Sequence, residues 1–188
     1  MSPEPTPSQT IGPFFHDALL DRDRSVLVPA DRPGAIRIEG TIYDGAGEPV
    51  PDAMVEIWQA NSSGRYYHPA DDREDLSLDT GFSGFGRSGT DAGGRFSFVT
   101  IKPGPVPGPD GRTQAPHIMV SVFARGLLKR LVTRIYFPDE EEANAVDPVL
   151  STAEDGDLRK TLIASEEGGV LRFDIHLQGD KQTAFFEF

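Results

Sequence analysis

The chain has no cysteine among its 188 residues, which excludes a disulfide framework and any thiolate metal site and fits a reducing compartment. Basic residues are scarce: 18 Lys and Arg stand against 30 Asp and Glu, a formal charge of −12. Nucleic acids and anionic membrane surfaces are held through basic patches, so neither is expected as a partner. The same charge repels an anionic substrate wherever no local cation offsets it. Long hydrophobic runs are missing too. No segment approaches the ~18 apolar residues of a membrane span, and the N-terminal Met1, Ser2, Pro3, Glu4, Pro5 and Thr6 lack the basic and apolar regions of a secretory signal. A cytoplasmic protein is the expectation.

Glycine and proline, by contrast, are plentiful at 20 and 16. They interrupt the chain too often for a helical bundle, whereas short strands joined by turns tolerate that density. The length suits one domain with a single core. Residues 1–34 carry little periodicity and are expected to form an extended N-terminal arm lying on a partner, with the domain proper over 35–188. Apolar and polar residues alternate with period two at Ile36 to Tyr43, Met54 to Gln59 and Leu171 to Leu177, and strand character recurs at Arg95 to Ile101, His117 to Ala124 and Leu131 to Phe137. An aromatic strand at Thr183 to Phe188 completes the count. Seven strands at turn-bounded spacing predict an all-β, two-sheet β-sandwich. Ala60 to Gly89 reads as one long loop, Pro103 to Pro109 as a stiff turn, and Glu140 to Val146 and Asp157 to Ala164 as short helical segments.

Chemistry-bearing residues are thinly spread. In Ala115-Pro-His-Ile-Met119 the side chains of His117 and Met119 share one face of a strand. Two histidines there would converge on one ion, but a thioether is a poor ligand for a hard cation. His16, His68 and His176 have no catalytic partner at motif spacing, so no Ser/His/Asp or His/Glu set is predicted. Trp58, alone in its strand, reads as a core or interface block rather than a stacking platform. Arg125 closes the His117 strand, where its guanidinium could fork onto a carboxylate, either of a ligand or of a surface Asp or Glu.

Val55-Glu-Ile-Trp-Gln-Ala-Asn61, Gly64-Arg-Tyr-Tyr-His68, Thr90-Asp-Ala-Gly-Gly94, Lys102-Pro-Gly-Pro105, the His117 strand and Thr133-Arg-Ile-Tyr-Phe-Pro-Asp139 occur here in an order that resembles the intradiol ring-cleavage dioxygenases. The resemblance runs from about Pro7 to Phe188. It implies an Fe(III) enzyme whose iron is held by two tyrosines and two histidines. Tyr66 and His117 match two of those positions, while Val106 and Met119 stand where the other two ligands would be. The pattern is therefore similar to the α-type subunit of the two-subunit members, which shares an active site without holding the iron.

That resemblance implies a homologous iron-binding β subunit as partner, Fe(III) as the partner's cofactor, and a catechol, 3,4-dihydroxybenzoate, with O2 as substrates. It places Arg125, Thr10, Gly12 and Pro13 toward the substrate, and leaves Tyr66, Val106, His117 and Met119 as relic positions with no catalytic residue or metal in this chain alone. Two other readings remain: a non-catalytic β-sandwich binding module, and a dioxygenase acting on another catechol.

Overall fold

Period-two alternation along each strand sends one set of side chains into a common core and the other outward, and it is this that pairs the sheets. In the computed structural model, which describes residues 18–22, 24–108, 111–153 and 155–187, eleven strands are named. The first sheet is built on β1 (Ala35–Tyr43). On one edge β1 pairs antiparallel with β4 (Arg95–Ile101), and on the other it runs parallel to β10 (Val170–Arg172) and β11 (Ile175–His176). Beyond β10 lies β9 (Ser165–Glu167). The second sheet is antiparallel, in the order β3 (Phe85–Gly89), β2 (Met54–Trp58), β7 (His117–Phe123), β8 (Leu131–Tyr136).

Between the sheets one core joins Ile38, Ile42, Phe96, Phe98, Leu171 and Ile175 from the first to Val55, Ile57, Ile118, Val120, Val122 and Ile135 from the second. Ile38, Ile42, Val55, Ile57, Leu171 and Ile175 are apolar positions of the alternation read from the sequence, and the two-sheet sandwich follows from this shared core. At Gly40 the sheets and the crossing chain meet so closely that a Cβ would stand 1.9 Å from the Phe173 carbonyl oxygen. Only glycine fits there.

Several elements differ from the sequence expectation. Phe85–Gly89 lies inside the stretch read as loop, yet it pairs with β2 over five residues. Two glycines mask its strand character, and the open edge of β2 supplies the hydrogen bonds that local propensity does not. Within the stiff turn, Val106–Pro107 (β5) pairs with Thr113–Gln114 (β6) in a two-residue ribbon. Proline lacks only the donor, so it is tolerated in so short an edge. The Leu171–Leu177 run splits into β10 and β11, because the Asp174 carboxylate takes the Thr41 amide at 2.8 Å in place of a ladder bond. The C-terminal aromatic segment forms a single bridge, Phe186 to Val132, rather than a strand. Helix α1 (Glu141–Val146) matches its prediction closely, whereas α2 (Gly156–Lys160) stops before the expected Ala164.

Within residues 24–34, Arg24 bridges to Arg87 of β3 and Val26 to Val99 of β4, so this part of the expected arm stitches the edges of both sheets. Val28 is buried against Phe82 and Ile101. Among the described residues, no helix is long and apolar enough to cross a membrane.

Replacing Gly40 by Ala is expected to destabilise the domain by about 2–3 kcal/mol, because the clash is with backbone rather than with a mobile side chain. Chemical denaturation measures it; an unchanged midpoint would contradict the close approach at Phe173.

Candidate functional site

The outward face of the second sheet carries the candidate site. Because directly paired residues share a face, the β2–β7–β8 register sets Trp58, Met119 and Arg134 in one row, and His117 beside Tyr136 in the next. In β8 both faces are buried, since Val132 to Tyr136 are covered outside by Leu150, Leu162 and Ala184 as well as by the core inside.

The segment after β2 folds over this face through one asparagine. The Asn61 side-chain oxygen accepts from the amides of Ser63 (2.9 Å) and Arg65 (3.0 Å), while its amide donates to the Ser77 carbonyl at 2.8 Å. At Gly64 φ is +82°, and a Cβ would lie 2.1 Å from the Pro105 carbonyl oxygen. Glycine there lets the loop close on Lys102–Pro105, the neighbour of Val106. Tyr66 is thereby laid on Trp58, with ring centroids 5.9 Å apart and planes 8° from parallel, and His68 meets the indole edge-on at 6.4 Å. Trp58 is thus a stacking surface after all, for a residue of its own chain. Asp71 locks the arrangement by accepting from the Tyr66 amide at 2.7 Å and the Arg73 guanidinium at 2.8 Å. Those hydrogen bonds, Arg73's first, hold its carboxyl well below the usual range. A cavity of about 510 Å³ remains, lined by Trp58, Tyr66, His68, Asp71, Arg73 and Pro107.

His117 is almost wholly buried. Its Nδ1 donates to the Ala115 carbonyl at 2.8 Å, which selects the Nδ1–H tautomer. Burial, reinforced by the charge of Arg134, lowers its pKa from 6.5 to about 4, so it is neutral at physiological pH. Burial raises the Tyr66 pKa, keeping the phenol protonated. Beside them Arg134 donates to the Gln114 side-chain oxygen at 2.7 Å and to the Tyr136 hydroxyl at 3.2 Å. The Tyr136 hydroxyl in turn donates to Asp147 at 3.1 Å.

Tyr66, His117 and Met119 are therefore gathered on one face, with Val106 buried in the adjoining ribbon. They do not fit an Fe(III) ion: valine offers no donor, a thioether is a poor ligand for a hard cation, and the buried Arg134 guanidinium lies on the same face, directly across from Met119. Among the described residues, no group of three or more His, Cys, Asp or Glu could hold a metal ion. Arg125 lies elsewhere. It follows the far end of β7, eight residues from His117 and so about 25 Å away along the strand. Its side chain is 69% exposed and ion-paired with Asp52. Thr10, Gly12 and Pro13 lie outside the described residues.

Sequence reasoning missed Arg134, Gln114, Tyr136 and Asp147. Arg134 and Tyr136 do alternate with Thr133 and Ile135, which signals a shared face, but not that this face is covered.

Because folded His117 titrates below its unfolded value of 6.5, the unfolded chain takes up the proton first. This contribution to stability is complete above about pH 6.5 and is lost as pH falls toward 4, a change of roughly 3 kcal/mol. His117→Gln should flatten that limb of the stability–pH curve. An identical slope in both proteins would show that His117 is not held neutral.

Comparison with known proteins agrees with this geometry. The protein-family profile described as Dioxygenase matches residues 11–179. The protocatechuate 3,4-dioxygenase alpha chain of Pseudomonas putida is 42% identical over 200 residues, covering 97% of this chain and 96% of its own. The beta chain of the Burkholderia cepacia enzyme is 38% identical, over 94% of this chain and 77% of its own. Among solved structures, the dioxygenase domain of a dioxygenase carbohydrate-binding protein fusion from Streptomyces sp. SirexAA-E superposes with a TM-score of 0.56 at 28% identity, over 94% of this chain and 99% of that one. A sandwich that retains the loops of a ring-cleaving enzyme, matched along nearly its whole length, belongs to the intradiol dioxygenase family.

Proposed function

We propose that this chain is the iron-free α-type subunit of a protocatechuate 3,4-dioxygenase, active in the cytoplasm with a homologous β subunit that holds Fe(III). The assembly cleaves 3,4-dihydroxybenzoate with O2 between the hydroxyl-bearing carbons, and both oxygen atoms enter the product, 3-carboxy-cis,cis-muconate. What supports this reading is the family match over nearly the full length, together with the resemblance that puts Val106 and Met119 at two of the ligand positions. A chain that keeps its loops but not its metal donors has a use at a partner's site. The Fe(III) of the partner supplies the binding and polarisation of the catecholate. This chain supplies positioning and charge.

Arg125 is the residue proposed to do so. Its exposure and its one exchangeable partner, Asp52, leave the guanidinium free to re-pair with a carboxylate on a docked chain's substrate. An exposed ion pair is worth at most about 1 kcal/mol, so leaving Asp52 costs little. Thr10, Gly12 and Pro13 are proposed to line the substrate entrance, as the leading part of a 1–34 arm whose later residues anchor it to the 35–188 sandwich.

Expressed alone, the chain should be colourless and free of stoichiometric iron, and co-expression with an iron-bearing β-type chain should yield an active complex. Stoichiometric iron with visible tyrosinate absorption in the isolated chain would overturn the assignment. In the complex, Arg125→Ala should lower kcat/KM for 3,4-dihydroxybenzoate about ten- to hundredfold, since a hydrogen bond to a charged group contributes about 1.5–3 kcal/mol. The loss should be smaller for catechol, which has no carboxylate. Steady-state kinetics with both substrates decides the point: equal losses reject carboxylate recognition.

A further inference from the structure

Arg134 is a buried cation that the proposed function does not use. Its residue is 8% exposed, it sits directly across the strand pair from Met119, and a guanidinium stays protonated at any physiological pH. Burying such a group is costly, so its surroundings must favour it. Here they form a graded set. The Tyr136 hydroxyl accepts from Arg134 and donates to Asp147, and Asp147 is itself fixed by the amides of Ala115 (2.7 Å), Val149 (2.9 Å) and Leu150 (2.6 Å). The carboxylate thus balances the guanidinium through one phenol. The Phe186 ring lies 5.7 Å from the guanidinium carbon. The compensation is incomplete, because the Arg134 Nε is buried without a hydrogen-bond partner.

Arg134 shares the sheet face of His117 and Met119, and the ring of its hydrogen-bond partner Tyr136 lies 5.7 Å from that of His117. A fixed monovalent cation therefore lies buried beside the strand positions of His117 and Met119, in a place of low dielectric where charge–charge terms are large. We propose that the Arg134 guanidinium has taken the cationic place of the metal in this chain, held by Gln114 and Tyr136 and excluding any metal ion from the positions of His117 and Met119. Loss of the ligands at 106 and 119 is then only half of the reason why the chain is iron-free. The other half is a permanent positive charge that repels an entering cation.

This inference rests on the reading that the unmodified chain holds no iron, and the test separates the two. The full-length chain is prepared with Val106→Tyr and Met119→His, and again with Arg134→Gln or Arg134→Lys added. Iron per chain and the visible tyrosinate absorption are measured after exposure to ferric iron, with thermal unfolding as the check on folding. Only the variant with Arg134→Gln should bind stoichiometric iron and colour; those with Arg or Lys at 134 should not. Equal iron in the variants with Arg134 and with Gln, whether both bind or both fail while folded, overturns the proposal. Binding by the Lys variant overturns it as well, because shape rather than charge would then be excluding the metal. Iron in the unmodified chain would instead refute the proposed function.

Should the multiple variants not fold, Met119→His alone creates an imidazole pair that can be titrated with Ni(II). Adding Arg134→Gln should tighten its apparent Kd by about tenfold or more, the effect of removing one nearby like charge. Unchanged affinity would again overturn the proposal.

Discussion

The central constraint in this molecule is that β7, fully buried on its inner face and partly covered on its outer one, must satisfy two environments with one alternating sequence. Ile118, Val120 and Val122 point into the inter-sheet core, while His117 and Met119 point outward under the loops. A one-residue slip of this strand would exchange the two sets, placing an imidazole in the core and isoleucine on the site. The pairings with β2 and β8 hold the register from both sides. Everything described on the outer face, from the Trp58–Met119–Arg134 row to the Tyr66 stack, follows from it.

Around that strand the polar groups are organised by residues that accept several bonds at once. Asn61 ties the loop after β2 to itself and to Ser77, and Asp71 ties Tyr66 to Arg73. Asp147 gathers three amides and a phenol behind His117. Buried polar groups tolerate such a place only when their bonds are made, and each of these hubs satisfies several at once. The result is a frame of shared hydrogen bonds that fixes Tyr66 and the surroundings of His117.

The two arginines that matter stand in opposite circumstances, and their chemistry differs accordingly. Arg134 is buried among fixed partners, so its charge acts on the interior of its own chain. Arg125 is at the surface, ion-paired with Asp52, so its charge is screened by solvent and reaches little of the interior. In a chain of net charge −12, a locally positive group is what lets an anion approach.

Alternation in β1, in β2 and along the Leu171–Leu177 run, the density of turns, and the lack of a donor at Val106 and of a second imidazole at Met119 were legible from the order of residues alone. Each depends on neighbours within a few positions, through the two-residue period of a strand or the donor chemistry of one side chain. The strand at Phe85–Gly89 was not legible, because its glycines carry no pattern and only the free edge of β2 makes it a strand. Nor was the roof over β8: Leu150, Leu162 and Ala184 reach Tyr136 from distant parts of the chain, and burial of Arg134 exists only once they do. Sequence by itself thus determined the sandwich and the family. Tertiary structure decided that a guanidinium is buried across from Met119 and that Arg125 stands at the other end of the same strand, because both depend on which distant segments the fold brings together.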